Sequence, residues 1–385
     1  MVLKNTAKPV YLDYNATTPH APGVIAAMGP YLKKYFGNPS NSHCYGIQTK
    51  RAIEKARGQV ASLLDCQLSE IVFTSGGTES NNYAIKGVAF ANQDKGRHII
   101  TSQIEHPAVT EVCNFLEGNG FKITYLPVDE YGLVNVSDVD KAITPQTILI
   151  TIMHANNEVG TIQPIKQISK LAREHKILFH TDAAQSVGKI PTDVNTLGVD
   201  LLSIAGHKLY APKGVGVLYI RNGVKLTKLM HGAGHEQGRR AGTENVLEIV
   251  GLGKACDIAK RDMDKNISHM MEMRDSLYNG LKEKLKDIKL NGHPEKRLPN
   301  TLSISFKGID ADMLLNEIKD DVAVSAGAAC HSGVTRISHV LSAMNIPLEW
   351  AQGTLRFSTG RMTTKTDIDK AIIIVSDAIK KEAVK

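Results

Sequence analysis

The sequence predicts an α/β protein: a mostly parallel sheet covered by helices, followed by a second, smaller α/β part. Two observations carry this prediction. Between residues 70 and 221, short runs rich in β-branched and aromatic residues alternate with helical patterns. Strands separated in this way by helices fold as parallel crossover units. After about residue 250 the texture changes to one long helical pattern and then to isolated strand-like pieces.

Taken in order, "EIVFTS" (70–75), "RHIITS" (97–102), "KITYLPV" (122–128) and "TILITIM" (147–153) read as strands. So do "KILFHTD" (176–182), "LLSIAG" (201–206) and "KGVGVLYIR" (213–221), the last entered through a glycine-rich turn. Each is bounded by turn formers or by a helical period, as in "IKQISKLAREH" (165–175). Residues 247–287 carry a continuous helical pattern, and "TLSISFKG" (301–308) returns to a strand pattern.

Composition narrows the function classes. With 42% hydrophobic and 22% charged residues, the chain has the balance of a soluble globular protein. No apolar run is long enough to span a bilayer and no signal peptide is evident, so a cytoplasmic protein without a membrane partner is expected. The net charge of +7 is spread along the chain without a basic tract interleaved with aromatics, so no nucleic-acid partner is expected. The five cysteines are dispersed and never paired as CxxC, which argues against a disulfide framework and a structural metal site.

Three stretches carry chemistry. In "FTSGGTESNN" (73–82) a strand ends, two glycines turn the chain and a helix begins. The free N–H groups of such a helix start bind phosphate, and Thr78 adds a hydroxyl beside Gly77. In "FHTDAAQSVGK" (179–189), Asp182 ends an apolar strand, where open α/β sheets place ligands. It is either a helix cap or the partner of a cation, and Gln185 follows one turn later. In "SIAGHKLYAPKG" (203–214), Lys208 follows a strand. Lysines at such junctions are usually solvated, but one held beside an aldehyde forms a Schiff base. Together the three fit pyridoxal 5'-phosphate, which needs a phosphate cup, a carboxylate for its ring nitrogen and a lysine for its aldehyde.

With these motifs the chain strongly resembles the NifS/IscS-type cysteine desulfurases, class V enzymes of fold-type I that use pyridoxal phosphate, together with the related selenocysteine lyases. The resemblance runs from "YLDYNATTP" (11–19) through "GNPSNSH" (37–43), "IEHPAV" (104–109), "ANNEVGTIQPI" (155–165), "GHEQGRRAGTEN" (234–245) and "SAGAACHSG" (325–333) to "LRFSTGR" (355–361). It implies a large pyridoxal-phosphate-binding domain over residues 15–260 with a seven-stranded-type sheet. Residues 1–14 and 261–385 would form a small domain carrying the nucleophile segment.

The resemblance also implies roles. Lys208 would hold the cofactor and shuttle protons, Asp182 would pair with the ring nitrogen, and His106 would lie against the ring face. Gln185 would bond the ring oxygen. Gly77, Thr78 and His207 would hold the phosphate. Asn157 would orient cofactor or substrate, and Arg356 would clamp the substrate carboxylate, a task suited to a planar guanidinium. Thr243 would reach the phosphate of a neighbouring subunit, implying a homodimer. Cys330, in a run of small residues, would be the nucleophile that takes sulfur from L-cysteine as a persulfide and delivers it to an acceptor or scaffold protein, leaving L-alanine.

One departure stands out: Ala205 occupies a position where many desulfurases carry a phosphate-binding serine. Ala205 and His331 both resemble the selenocysteine-lyase branch, so cleavage of L-selenocysteine is the alternative reading. An aminotransferase would need no such cysteine, and a non-catalytic assembly scaffold would be expected to lack Lys208 or Cys330.

Overall fold

A computed structural model describes residues 8–331 and 334–382, with the backbone alone for 328–331 and 334–336. Strand β1 (Val10–Tyr11) is short. The strands β2 (Ile71–Thr74), β3 (His98–Ser102), β4 (Lys122–Leu126), β5 (Thr147–Thr151), β6 (Leu178–Asp182), β7 (Leu201–Ala205) and β8 (Gly216–Ile220) form one seven-stranded sheet. Its order is β2-β8-β7-β6-β5-β3-β4. All seven lie within the runs that the sequence singles out. Only β8 runs against the others, pairing antiparallel with both β2 and β7.

Burial explains why most of these runs do not alternate apolar with exposed polar residues. Strands β2, β3, β5, β7 and β8 are buried at every residue because helices cover both faces. Two buried clusters flank the sheet, one around Phe73, Ile150, Phe179 and Leu202, the other around Val72, Ile99, Leu149 and Leu218.

A second sheet contains β9 (Ile288–Asn291), β10 (Thr301–Phe306), β12 (Ser325–Ala326) and β15 (Thr354–Ser358), in the order β12-β15-β10-β9. Strand β11 (Val322–Ala323) pairs in parallel with β1. The hairpin β13 (Ala328–His331) and β14 (Val334–Ile337) places Cys330 opposite Thr335. The run of small residues around Cys330 is extended and paired, and the β-branched Val334, Thr335 and Ile337 favour that state. Val10 and Leu12 pack into the buried cluster of this second part, with Leu277, Ile304, Phe357 and Val375.

The single helix expected over 247–287 is two helices, Val246–Arg261 and Met263–Lys284. The break falls at Asp262, whose φ −108° and ψ 17° leave the helical region. Both Asp262 carboxylate oxygens accept from the Arg261 side chain, at 2.9 and 2.7 Å.

Candidate active site

Five strand ends open on one side of the large sheet, the carboxyl side, where doubly wound sheets hold ligands. Past β2 the chain turns through Gly76 into the helix Gly77–Asn92. Past β3, His106 caps the helix Pro107–Glu117, its Nδ1 accepting from Ala108 N at 3.1 Å. Past β5 lies Asn157, at the end of β6 Asp182, and past β7 the single turn Gly206–Lys208. A cavity of about 260 Å³ forms between them. Gly77, Thr78, His106, Asn157, Asp182, Gln185, His207, Lys208 and Arg356 all line it. Thr243 is exposed and does not line it, and the Cys330 side chain lies outside the described residues.

Asp182 is held from two directions. Its Oδ2 accepts from Asn81 Nδ2 at 2.6 Å and its Oδ1 from Ala184 N at 2.9 Å. Beneath it, His180 ties three strands together through Thr151 Oγ1 at 2.8 Å and Ser203 Oγ at 3.0 Å. Burial pushes His180 down to about 3, so it is a neutral strut.

Lys208 Nζ donates to the carbonyls of Asn15 at 2.5 Å and Ala16 at 2.7 Å. Burial, followed by the charge of Arg356, lowers this amine to about 8, against smaller opposing pulls from Asp13 and Asp182. A lysine so perturbed keeps a neutral, nucleophilic fraction near neutral pH. His106 is also shifted below its ordinary value by burial, with Asp182 opposing and Lys208 and His339 adding to the shift. His207 is pushed down to about 4, chiefly by burial and then by Lys208 and Lys213, and its Nδ1 lies 3.2 Å from Thr17 Oγ1.

The structure also brings in residues that the sequence reading gave no role. Asn15 sits at the centre of a buried network. Its carbonyl accepts from both Lys208 and Gln185 Nε2, the latter at 3.0 Å. Its side-chain oxygen accepts from Lys189 at 3.2 Å and from Asn300 at 2.9 Å. Lys189 also donates to Gln185 Oε1 at 2.9 Å, which fixes the orientation of that amide. Burial, then Lys208 and Arg356, hold Lys189 far below the usual lysine range. Asn81 lies one helical turn beyond Thr78, a spacing that could have placed it on the cavity side.

These residues fit pyridoxal phosphate on three observations. The first turn of a sixteen-residue helix borders the cavity at Gly77 and Thr78, as an anion needs. A Cβ on Gly77 would stand 3.2 Å from the Cβ of Ala205, so the glycine keeps that corner open. The donor set pairs a depressed lysine with a fixed carboxylate, and the buried Asn81 Oδ1 beside it lacks a partner among the described residues.

Sheet order and strand-end residues define a fold-type I protein of the pyridoxal-phosphate class. The aminotransferase class-V family model matches residues 10–371, and the chain belongs to that family. It is 52% identical over 375 residues to a cysteine desulfurase IscS of Dictyoglomus turgidum, covering 97% of this chain and 95% of the relative. A cysteine desulfurase IscS of Methanosarcina thermophila is 50% identical over 375 residues, covering 97% and 93%. Among solved structures, a NifS-like protein superposes with a TM-score of 0.91 at 38% identity, covering 97% of this chain and all of that one (100%). A structure of SspA in complex with cysteine gives a TM-score of 0.80 at 39% identity, covering 92% and 99%.

Proposed function

We infer that the protein is a cysteine desulfurase that converts L-cysteine to L-alanine and leaves the sulfur as a persulfide on Cys330. The observation that carries this is the convergence of Lys208, Asp182 and Arg356 on one cavity in a chain about half identical to cysteine desulfurases over nearly its full length.

When bound, pyridoxal phosphate supplies an aldehyde and an electron-withdrawing ring that labilise the bonds around the substrate's α-carbon. The chain's residues do the rest. Asp182 keeps a proton on the ring nitrogen through its carboxylate, itself anchored by Asn81 and Ala184. Lys208 Nζ would hold the cofactor and, once the amino acid displaces it, would move a proton at the α-carbon. Gly77, Thr78 and His207 bind the phosphate at the start of the helix Gly77–Asn92, without a hydroxyl from Ala205. Gln185 orients the ring oxygen, His106 covers the ring face, Asn157 orients the cofactor or the bound amino acid and Arg356 takes the substrate carboxylate. The Cys330 thiolate forms a bond to the substrate sulfur as the carbon–sulfur bond breaks, and the electron pair returns to carbon for protonation.

The same reading includes a division into residues 15–260 and, as a small domain, 1–14 with 261–385. It is supported by the separate buried clusters, Val10 and Leu12 packing with the later residues and Tyr14 with the earlier ones. It also includes a homodimer in which Thr243 reaches the neighbouring site, consistent with its exposure away from its own cavity. A sulfur-acceptor protein and a cytoplasmic location complete it. No helix among the described residues is long and apolar enough to cross a membrane.

Alanine release from L-cysteine and from L-selenocysteine tests this assignment. Wild type should release alanine from L-cysteine and carry a cyanolysable persulfide. Cys330→Ala should lose essentially all alanine formation from L-cysteine. It should keep measurable activity on L-selenocysteine, because selenide leaves with less help. Undiminished desulfurization by Cys330→Ala would remove the nucleophile assignment. A wild type active on L-selenocysteine alone would make it a selenocysteine lyase.

A further inference from the structure

Arg356 is already engaged by another acid. Its Nη2 donates to Asp13 Oδ1 at 2.8 Å and to Ser325 Oγ at 2.9 Å, and its Nη1 donates to the Asn157 carbonyl at 3.2 Å. Ser325 Oγ in turn donates to the same Asp13 oxygen at 2.9 Å, closing a triangle. The Nε of Arg356 is buried and has no partner among the described residues.

A guanidinium offers a carboxylate two bidentate edges, Nε with Nη2 and Nη1 with Nη2. Both include Nη2. Burial of Nε closes the first edge to an incoming molecule, which leaves the edge whose two nitrogens are already bonded. A substrate carboxylate added beside Asp13 would put two like charges on one cation, a repulsive arrangement in a partly dehydrated site. Asp13 and Arg356 are both largely shielded, at 17% and 12% side-chain exposure, so solvent screens that repulsion poorly.

We propose that Asp13 is a resident competitor on the carboxylate clamp: it holds Arg356 Nη2 and is exchanged for the α-carboxylate when the amino acid docks. Asp13 thereby sets the affinity for amino acids and the discrimination against amines that lack a carboxylate. Ser325 faces Arg356 across the β12–β15 pair and shares the Asp13 oxygen, and its strand leads to Cys330.

The inference rests on Arg356 being the clamp, and the experiment separates the two. Isothermal titration of the holoenzyme with L-alanine reads carboxylate binding without turnover, and KM for L-cysteine reads it during turnover. Arg356→Ala tests the clamp, and L-alanine affinity unchanged in that variant would remove that reading. Asp13→Asn tests the exchange. It should tighten L-alanine binding roughly tenfold, the worth of one hydrogen bond to a charged group, and lower KM in the same direction. Binding of cysteamine, which is cysteine without its carboxylate, should not change. Ser325→Ala keeps the competing charge and should stay within about threefold of wild type. Asp13→Ala carries the same expected sign and serves where the asparagine variant does not fold. Weaker or unchanged L-alanine binding in a folded Asp13 variant would overturn the proposal, because Asp13 would then orient the clamp rather than compete for it.

Discussion

Asp182 and Arg356 face the same cavity, yet they are held by different kinds of neighbour. Asp182 is bonded by groups from its own sheet region, Asn81 on the adjoining helix and Ala184 just along its own chain. Arg356 is bonded by Asp13, Ser325 and Asn157, which come from three segments far apart in sequence. The cofactor-side carboxylate is thus held from within the large sheet and the helix that covers it. On the substrate side, a mobile reactant's carboxylate can replace one of the acceptors now present. A cofactor that stays needs a fixed partner, whereas a substrate that comes and goes needs exchangeable ones.

The cofactor side should therefore fail steeply when cut. Asp182→Ala should slow turnover by about 10³-fold or more, the scale of losing a dominant preorganised electrostatic group. The loss should appear in kcat, and an effect confined to KM would reduce Asp182 to a helix cap. Asn81→Ala removes one of the two bonds to Asp182 and leaves the Ala184 bond. Its cost should be smaller, roughly tenfold in kcat, as expected for one charge-assisted hydrogen bond. A loss as large as that of Asp182→Ala would mean that Asn81 itself touches the reacting groups. No change at all would mean that the Asn81 bond is not what keeps Asp182 in place.

The same contrast explains what the sequence could disclose. The seven strands of the large sheet were legible as short runs rich in β-branched and aromatic residues, and five of them, β2, β3, β5, β7 and β8, are buried at every residue. Asp182 and Lys208 were legible because they stand at strand ends. Asn15 and Lys189 were not, since a buried polar residue shows its purpose only once distant segments meet around it. Asp13 lay within a quoted motif but carried no role, because its partners Ser325 and Arg356 stand more than 300 positions later. The long helix was overread at Asp262, where the helical period continues through a residue whose backbone leaves the helix.

The central claim is that Lys208 holds pyridoxal phosphate at the carboxyl end of β7. Borohydride reduction of the holoprotein followed by peptide mapping tests it most directly. The purified protein should be yellow, lose that colour on reduction, and carry the cofactor mass on the peptide containing Lys208. The Lys208→Ala variant should take up no borohydride-fixed cofactor and form no alanine. A cofactor mass fixed on Lys189 or any other lysine, or alanine formed by Lys208→Ala at the wild-type rate, would contradict the account.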